Sequence, residues 1–365
     1  MKIFYDHQVF SLFDAGGSVR YFHELTRHLQ GRENVDLEIA LGLNASVFPF
    51  AQLAGEHTRV LSSNTTLAPG MLRYMVNEAF SNALGVFGQR FDIYHPTIYR
   101  ALPMIRRKRL VVTHHDCIHE LFPHLFRNTS MILNSRKRLY AQADAIICIS
   151  ESSRRDLMRF YTVDERKTRI IYHGFAPFPS KSRSVEMSLS SPYLLFVGAR
   201  GTYKNFMALL DAYVASKVSQ DYELIVAGGG PLTGAEVAKI GKLGIGNRVR
   251  AVPKVGDDLL ASLYRNAALF VYPTLYEGFG FPPLEAMSLG CPVLTSDKSS
   301  MPEICGDAAF YFNPVNHEAL TVALQNVLSD RNGLEVMKTR GYEQVSRYNW
   351  SRTADQTLEV YRGTL

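Results

Sequence analysis

Residues 267–297 read AALFVYPTLYEGFGFPPLEAMSLGCPVLTSD, and this stretch determines the expected fold. The apolar run LFVY is followed by a glycine-rich turn, by the helix-compatible segment PPLEAMS and by a second apolar run in CPVLTSD. Short apolar runs separated by helical segments are typical of the strand–helix–strand units of parallel sheets. The stretch therefore predicts such a unit, with a polar loop after its first strand.

The same alternation continues in both directions along the chain. The predicted strands are KIFYDH, LEIALGL, DIYHPT, LVVTHHD, AIICIS and RIIYHGF in the first half, and YLLFVGA, YELIVAGGG, RVRAVPKV, LFVYPT, CPVLTSD and AAFYFN in the second. Between the halves, residues 174–191 are rich in Pro and Ser. Because 365 residues exceed the usual size of one core, we predict two doubly wound, Rossmann-like α/β domains. They cover residues 1–173 and 192–345, with a linker at 174–191.

The composition is that of an ordinary globular protein, with 46% hydrophobic and 20% charged residues. No apolar run approaches the roughly 20 residues that a membrane-spanning helix needs. The first residues, MKIFYDHQVF, lack the long apolar core of a signal peptide because Asp6 and His7 interrupt them. We therefore expect a cytoplasmic protein. Its four cysteines lack C-x-x-C spacing, and we expect them to be reduced: Cys117, Cys148, Cys291 and Cys305.

The positive charge is unevenly distributed along the chain. Up to His173 there are 22 Lys and Arg against 16 Asp and Glu, so the whole net charge of +6 lies in the first half. Two basic clusters, at residues 106–109 and 136–138, contribute to this excess. They are either solvated faces or a contact with an anionic membrane surface, which would make the protein peripheral on the inner face of the cell membrane. A nucleic-acid partner is not expected, because the clusters lack interleaved aromatic residues.

Two carboxylates flank the glycine-rich turn, and they are the strongest chemical signal in the sequence. Glu277 lies in the predicted loop, and Glu285 lies about one turn inside the following helix. Gly278 and Gly280 allow backbone N–H groups to approach a ligand, and a helix N-terminus favours negative charge. The pattern fits a sugar phosphate. The alternative is an acidic loop in which Glu285 only caps its own helix.

The segment YEGFGFPPLEAMSLGCPVLTSDKSSMPEICGDAAFYFNP resembles the family 4 retaining glycosyltransferases of the GT-B fold. The likeness continues through LLFVGARGTYKN, LIVAGGG and LYRNAALFVYPT, so it covers most of residues 190–315. The first half matches more loosely, through AGGSVRYFHEL, DIYHPT, VVTHHD and IICISESSRRDL. Within the family, the chain looks most like bacterial mannosyltransferases of O-antigen and related polysaccharides. The resemblance implies an active site in the cleft between two domains, and a C-terminal helix, residues 346–365, that crosses back to the first domain.

The resemblance also implies roles for the residues around the glycine-rich turn. Glu277 would contact the donor sugar's hydroxyls, and Glu285 would bind the ribose, because one carboxylate can accept two hydroxyl hydrogen bonds. The backbone N–H groups of Gly278, Phe279 and Gly280 would hold the far edge of the sugar. The loop at Ser299, Ser300 and Glu303 would lie near the nucleotide.

Arg200 and Lys204 follow the predicted strand YLLFVGA, four residues apart. Two cations at this spacing are either surface salt-bridge partners or ligands of one pyrophosphate. The resemblance favours the second interpretation, in which they neutralise the leaving diphosphate. There is no Asp-x-Asp motif to hold a divalent metal. We therefore expect no metal and no other cofactor.

Two glycine-rich loops follow predicted strands. Gly16 and Gly17 precede the helical segment RYFHELTRHL, where the backbone can approach a phosphate, although a plain turn fits equally well. Many family members have a further glycine where this chain has Val19, so the chain departs from the family pattern in this loop. Gly229 lies in the GGG run after the strand YELIVAGGG, and its family counterpart lies beside the nucleotide.

His114, His115 and Asp116 follow the predicted strand LVVT. Alignment to the family's T-x-H-D pattern identifies His115 as the residue near donor and acceptor, with Asp116 beside it. A structural role for one histidine is the plain alternative. Metal binding by this set with His119 and His124 is a further alternative, but the spacings match no zinc pattern.

The resemblance implies a retaining hexosyltransferase that moves a sugar from a nucleotide-diphosphate donor, with GDP-mannose favoured by the subgroup, onto a glycan or polyprenyl-linked acceptor in lipopolysaccharide or related surface polysaccharide synthesis. The expected chemistry is same-face displacement, in which the leaving phosphate helps to deprotonate the acceptor. UDP-glucose and UDP-N-acetylglucosamine are alternative donors. Three competing hypotheses are a glycan phosphorylase, a nucleotide-sugar epimerase, and a catalytically silent subunit that binds a nucleotide sugar.

Overall fold

The computed structural model describes residues 1–365 except 15, 45, 65–69, 88–89, 100–104, 179–190 and 317. The chain forms two compact units. Unit 1 comprises residues 1–174 and 349–365, and unit 2 comprises residues 175–348. Most of the predicted linker, residues 179–190, lies outside the described residues. None of the described helices is long and apolar enough to cross a membrane.

Unit 1 contains a parallel sheet of seven strands in the order β3-β2-β1-β4-β5-β6-β7. The strands are β1 (Lys2–Tyr5), β2 (Asp36–Asn44), β3 (Thr58–Asn64), β4 (Phe91–His95), β5 (Arg107–His114), β6 (Ala145–Cys148) and β7 (Thr168–Ile170). The helices of this part of the chain are α1 (Gln8–Leu12), α2 (Gly17–Leu29), α3 (Gly70–Phe87), α4 (Ile118–Leu121), α5 (Thr129–Gln142) and α6 (Glu151–Phe160). The strand order reverses between β1 and β4, which is the switch point where ligands bind in such sheets.

Unit 2 contains a parallel sheet of six strands in the order β10-β9-β8-β11-β12-β13. The strands are β8 (Tyr193–Val197), β9 (Glu223–Ala227), β10 (Val249–Val252), β11 (Leu269–Tyr272), β12 (Val293–Ser296) and β13 (Phe310–Phe312). The helices are α7 (Phe206–Ala215), α8 (Gly234–Lys242), α9 (Asp257–Asn266), α10 (Phe281–Ser288), α11 (Met301–Cys305), α12 (Ala319–Ser329) and α13 (Arg331–Ser346). The switch point lies between β8 and β11.

The central strands are apolar because helices cover both faces of each sheet. Every residue of β8, β9, β11 and β12 is buried, as expected for parallel strands between two helical layers. The doubly wound α/β prediction is therefore confirmed in both units. Strand β3 was not predicted, because TRVLSSN at the edge of the sheet has only two large apolar residues.

The last helix, α14 (Trp350–Thr364), belongs to unit 1. Its buried residues recur at helical spacing and form one buried, mainly apolar stripe: Trp350, Thr353, Ala354, Thr357, Leu358 and Tyr361. The Tyr361 hydroxyl lies 2.9 Å from that of Tyr5 on β1. Where the chain leaves unit 1, a Cβ on Gly174 would lie 2.2 Å from the backbone nitrogen of Trp350. Only glycine therefore fits at this contact.

Candidate active site

In unit 2, the loops after the two strands at the switch point bring Lys204 and Glu277 together. Lys204 closes the short 3-10 turn Thr202–Lys204 after β8, and Glu277 follows β11. The Lys204 ammonium forms an ion pair with Glu277 Oε1, and both side chains are 13% exposed. The two residues were predicted to contact different parts of a donor, and the structure joins them directly.

Two hydroxyls complete this cluster. The Tyr272 hydroxyl lies 2.6 Å from Lys204 Nζ and donates to Glu277 Oε1 at 2.7 Å. Thr274 Oγ1 lies 3.0 Å from the same carboxylate oxygen. Burial and the negative charge of Glu277 raise the pKa of Tyr272 well above its usual value, so the phenol stays protonated. Tyr272 and Thr274 were not predicted from the sequence, although both lie within five positions of Glu277.

The glycine-rich turn is held by the loop after β12. Ser299 Oγ accepts a hydrogen bond from the Glu277 N–H at 2.9 Å. Ser300 Oγ lies 2.9 Å from the carbonyl oxygen of Glu277 and 2.7 Å from that of Phe279. Gly280 has φ +117°, and a Cβ there would lie 2.4 Å from Met301 Cε. The turn is thus fixed before α10 begins at Phe281. Sugar binding by the Gly278, Phe279 and Gly280 N–H groups stays a prediction.

Glu285 lies one turn inside α10 and is 8% exposed. The Tyr264 hydroxyl donates to its Oε2 at 3.1 Å. The N-cap residue of α10 is Gly280, which makes no side-chain capping hydrogen bond, and a cap by Glu285 stays an alternative. A nearly buried carboxylate held by a phenol can accept ligand hydroxyls, as its predicted ribose contact requires.

Arg200 faces a different loop from Lys204. Its Nε donates to Glu236 Oε1 at 2.9 Å, and the guanidinium contacts the backbone carbonyl oxygens of the glycine-rich loop after β9: Gly228, Gly229, Gly230 and Pro231. The side chain is only 3% exposed. All three glycines have positive φ, and a Cβ on Gly229 would lie 2.6 Å from Gly198 O. In this structure Arg200 shapes the glycine loop, and it does not converge with Lys204 as predicted.

In unit 1, His115 and Asp116 directly follow β5. His114 is fully buried, with Nδ1 2.7 Å from the Tyr140 hydroxyl, whereas His115 is partly exposed. Burial lowers the pKa of His115 to about 4, Asp116 opposes this shift and Arg136 adds to it. The His115 imidazole is therefore neutral at neutral pH, so it can exchange hydrogen bonds with hydroxyls without adding charge. Of the two histidines, His114 is the one whose surroundings are typical of a structural residue.

Asp116 is held by the residues around it. Its Oδ1 accepts the Ile118 N–H at 3.0 Å and lies 3.5 Å from Arg136 Nη2. Burial alone would raise the pKa of Asp116, but Arg136 and the Ile118 N–H outweigh it and hold the pKa below its usual value. The carboxylate is therefore ionised at neutral pH.

The glycine loop of unit 1 precedes α2. Gly16 is the N-cap residue and has φ 128° and ψ 174°, which only glycine adopts without strain. Gly17 is the first residue of the helix. The predicted phosphate contact of Gly16 and Gly17 stays a prediction. Within the described part of the chain, no group of three His, Cys, Asp or Glu residues could hold a metal ion.

Comparison with known proteins agrees with this architecture. Residues 178–344 match the family model of glycosyl transferases group 1, and residues 15–177 match that of glycosyltransferase family 4. O-antigen chain mannosyltransferase B of Escherichia coli is 31% identical over 288 residues, which are 74% of each chain. O-antigen chain mannosyltransferase RfbU of Salmonella typhimurium is 26% identical, over 63% of this chain and 64% of that protein.

The chain belongs to the family 4 glycosyltransferases. Two solved structures show the fold: Anabaena HepE in complex with UDP and glucose, with a TM-score of 0.72 and 19% identity, and the glycosyltransferase WaaG, with a TM-score of 0.71 and 17% identity. Both alignments cover all of both chains. The fold is therefore GT-B, and the protein is a glycosyltransferase.

Several basic residues of the two clusters in this glycosyltransferase are buried or paired with carboxylates, so fewer of them are free to contact an anionic surface than the sequence suggested. Arg136 is 2% exposed and pairs with Glu120 at 2.8 Å, so the prediction that it belongs to a surface patch is wrong. Lys108 pairs with Asp92 at 2.5 Å, and Arg109 lies 3.7 Å from Asp144. Lys137 and Arg138 remain exposed.

Proposed function

We propose that unit 2 binds a nucleoside-diphosphate sugar, most favourably GDP-mannose, and that the sugar is transferred with retained configuration to a glycan or polyprenyl-linked acceptor in surface polysaccharide synthesis. The Lys204–Glu277 cluster at the switch point of unit 2 carries this proposal, because it offers a cation for a diphosphate beside a carboxylate for sugar hydroxyls. The mannose donor is supported by the similarity to two O-antigen mannosyltransferases.

Each residue then has a role that follows from its surroundings. Lys204 neutralises the charge that develops on the leaving diphosphate. Glu277 binds the hydroxyls of the donor sugar, and Glu285 binds the ribose. From unit 1, the neutral His115 exchanges hydrogen bonds with donor or acceptor hydroxyls. The departing phosphate oxygen takes the acceptor's proton on the face of the sugar that it leaves, which retains the configuration.

A panel of nucleotide sugars tests the donor assignment. At equal concentrations, GDP-mannose should raise the melting temperature more than UDP-glucose or UDP-N-acetylglucosamine, because the ligand with the lowest Kd stabilises the folded state most. A ligand at 100 times its Kd contributes about 2.7 kcal/mol. The protein should also hydrolyse the bound donor slowly when no acceptor is present. A larger shift with a UDP sugar would reassign the donor. Binding without any hydrolysis or transfer would favour the catalytically silent subunit.

We also propose that transfer needs no metal ion, because fixed cationic side chains can replace a divalent cation at a diphosphate. Activity should be unchanged, within about twofold, after EDTA treatment and gel filtration into metal-free buffer. The initial rate measured with EDTA and then with added magnesium or manganese checks this. Loss of transfer in EDTA and its return with either metal would refute the metal-free mechanism.

We further propose that unit 1 contacts an anionic membrane surface. The whole excess of positive charge lies in the first half of the chain, and Lys137 and Arg138 are exposed on α5. Co-sedimentation with anionic liposomes should weaken as salt rises, because the Debye length falls to about 3 Å at 1 M salt. Neutral liposomes are the control, and equal binding to them would contradict an electrostatic contact.

A further inference from the structure

Three donors converge on a single oxygen of Glu277. Lys204 Nζ forms an ion pair with Oε1, the Tyr272 hydroxyl donates to it at 2.7 Å and Thr274 Oγ1 lies 3.0 Å from it. Glu277 Oε2 receives no hydrogen bond from any residue that the structure describes. A carboxylate fixed through one oxygen can present the other to ligand hydroxyls in a defined direction. The arrangement therefore orients Glu277 for binding.

Tyr272 is the rigid member of this cluster. It is the last residue of β11, it is 1% exposed, and its carbonyl oxygen accepts a hydrogen bond from Thr295 Oγ1 on β12 at 3.0 Å. Its ring stacks on Phe270 with centroids 5.6 Å apart. Lys204 and Glu277 lie on loops and have longer, more flexible side chains. The phenol hydroxyl contacts both members of the ion pair, and the strand that carries it gives both a fixed partner.

Donor binding changes the electrostatic balance at Glu277. The diphosphate of a donor competes with Glu277 for the Lys204 ammonium, because both are anions that the same cation can pair with. A carboxylate that loses its cation at a largely buried position is destabilised unless another donor remains. Tyr272 is such a donor, since its hydrogen bond to Glu277 does not depend on Lys204.

We propose that Tyr272 is a positioning residue of the transferase. It holds Glu277 with Oε2 directed at the donor sugar, and it keeps Oε1 hydrogen-bonded while Lys204 neutralises the diphosphate. This inference rests on the proposed function. It assigns the residue that allows Lys204 to pair with the diphosphate while Glu277 binds the donor sugar. Tyr272 itself acts through Glu277 and Lys204 and has no assigned contact with the sugar.

A double-mutant cycle tests this role without knowledge of the acceptor. Donor hydrolysis is measured for the wild type, Tyr272→Phe, Glu277→Gln and the double variant, with GDP-mannose, UDP-glucose or UDP-N-acetylglucosamine, whichever the wild type uses. Tyr272→Phe should lower kcat/KM for the donor by about 10-fold or more. The double variant should lie within about threefold of Glu277→Gln alone, because residues that act through one another are not additive.

Tyr193→Phe is the matched control. Tyr193 is also a buried tyrosine of unit 2, its hydroxyl donates to Leu263 O at 2.7 Å, and it begins β8 at the opposite end of the parallel strands. It should keep wild-type kinetics, and both Phe variants should melt within about 4 °C of the wild type, since one lost hydrogen bond costs about 1 kcal/mol.

The outcomes separate the two proposals. If the wild type is active and Tyr272→Phe behaves like Tyr193→Phe, the positioning role is overturned and the transferase function still stands. The same conclusion follows if the effects of Tyr272→Phe and Glu277→Gln multiply. A wild type that neither binds nor hydrolyses any of the three donors overturns the donor assignment, and the positioning role falls with it.

Discussion

Replacing Lys204 by alanine should lower kcat/KM for the donor by about 100-fold or more, because removing one preorganised donor to developing charge typically costs 100- to 1,000-fold in rate. The leaving diphosphate would lose the cation nearest to Glu277, and both donor affinity and turnover should fall. The fold should persist, because Glu277 Oε1 keeps the hydrogen bonds from Tyr272 and Thr274. Steady-state kinetics of transfer, or of donor hydrolysis, with a melting curve of each variant, measure both effects.

Two further variants sharpen this result. Lys204→Arg should restore only part of the activity, because a planar guanidinium on a different stem cannot reproduce a compact ammonium between Tyr272 and Glu277. Lys239→Ala is the control, since Lys239 pairs with Asp211 at 2.5 Å away from the cluster, and it should leave the kinetics unchanged. Undiminished activity of Lys204→Ala would show that the diphosphate binds elsewhere.

The sequence predicted those parts of the fold and site that depend on local pattern. LFVY and PVLTS are continuous apolar runs because β11 and β12 are covered on both faces, so the runs alone identify them. Glu277 and Lys204 were found because both follow such strands. The edge strand β3 is only partly apolar and gave no signal. The hydroxyl of Tyr272 was missed because a tyrosine inside an apolar strand is typical of a core residue.

The directions of side chains in one loop could not be predicted from spacing. In the sheet of unit 2, β8 lies between β9 and β11. Different side chains of a loop that follows β8 can therefore contact the two neighbouring loops. Arg200 contacts the glycine loop after β9, and Lys204 contacts Tyr272 and Glu277 after β11. Four residues of separation suggested convergence, whereas the backbone of the loop decides which neighbour each cation contacts.

The basic run at Arg136 illustrates the same limit for a helix. Three successive cations suggested an exposed cluster, but an α-helix turns each residue by about 100°. In α5, Arg136 lies on the same buried face as Leu139 and Tyr140, three and four positions later, while Lys137 and Arg138 are exposed. The burial of a cation depends on a partner from another element. Glu120 on α4 is that partner, and no local pattern identifies it.

Arg136→Ala should destabilise the protein by about 3–5 kcal/mol, which is the usual cost of removing one member of a buried ion pair. Arg136 is 2% exposed, and both carboxylate oxygens of Glu120 lie 2.8 Å from its Nη1. Nη1 also donates to Asp116 O at 2.9 Å, and the guanidinium lies 4.4 Å from the centre of the Tyr99 ring. Without it, the side chain of Glu120, which is 4% exposed, loses the cation that it pairs with.

The melting temperature of the transition that includes unit 1 should fall by about 6–20 °C, at roughly 2–4 °C per kcal/mol for a unit of this size. Arg154→Ala is the matched control, because Arg154 pairs with Glu151 at the surface and such pairs contribute at most about 1 kcal/mol. Arg136→Met with Glu120→Leu should recover much of the loss, since the uncompensated charge is then absent. If Arg136→Ala melted like Arg154→Ala, Glu120 would have to be solvated. The Arg136–Glu120 pair would then not be the contact that holds α4 and α5 together next to His115 and Asp116.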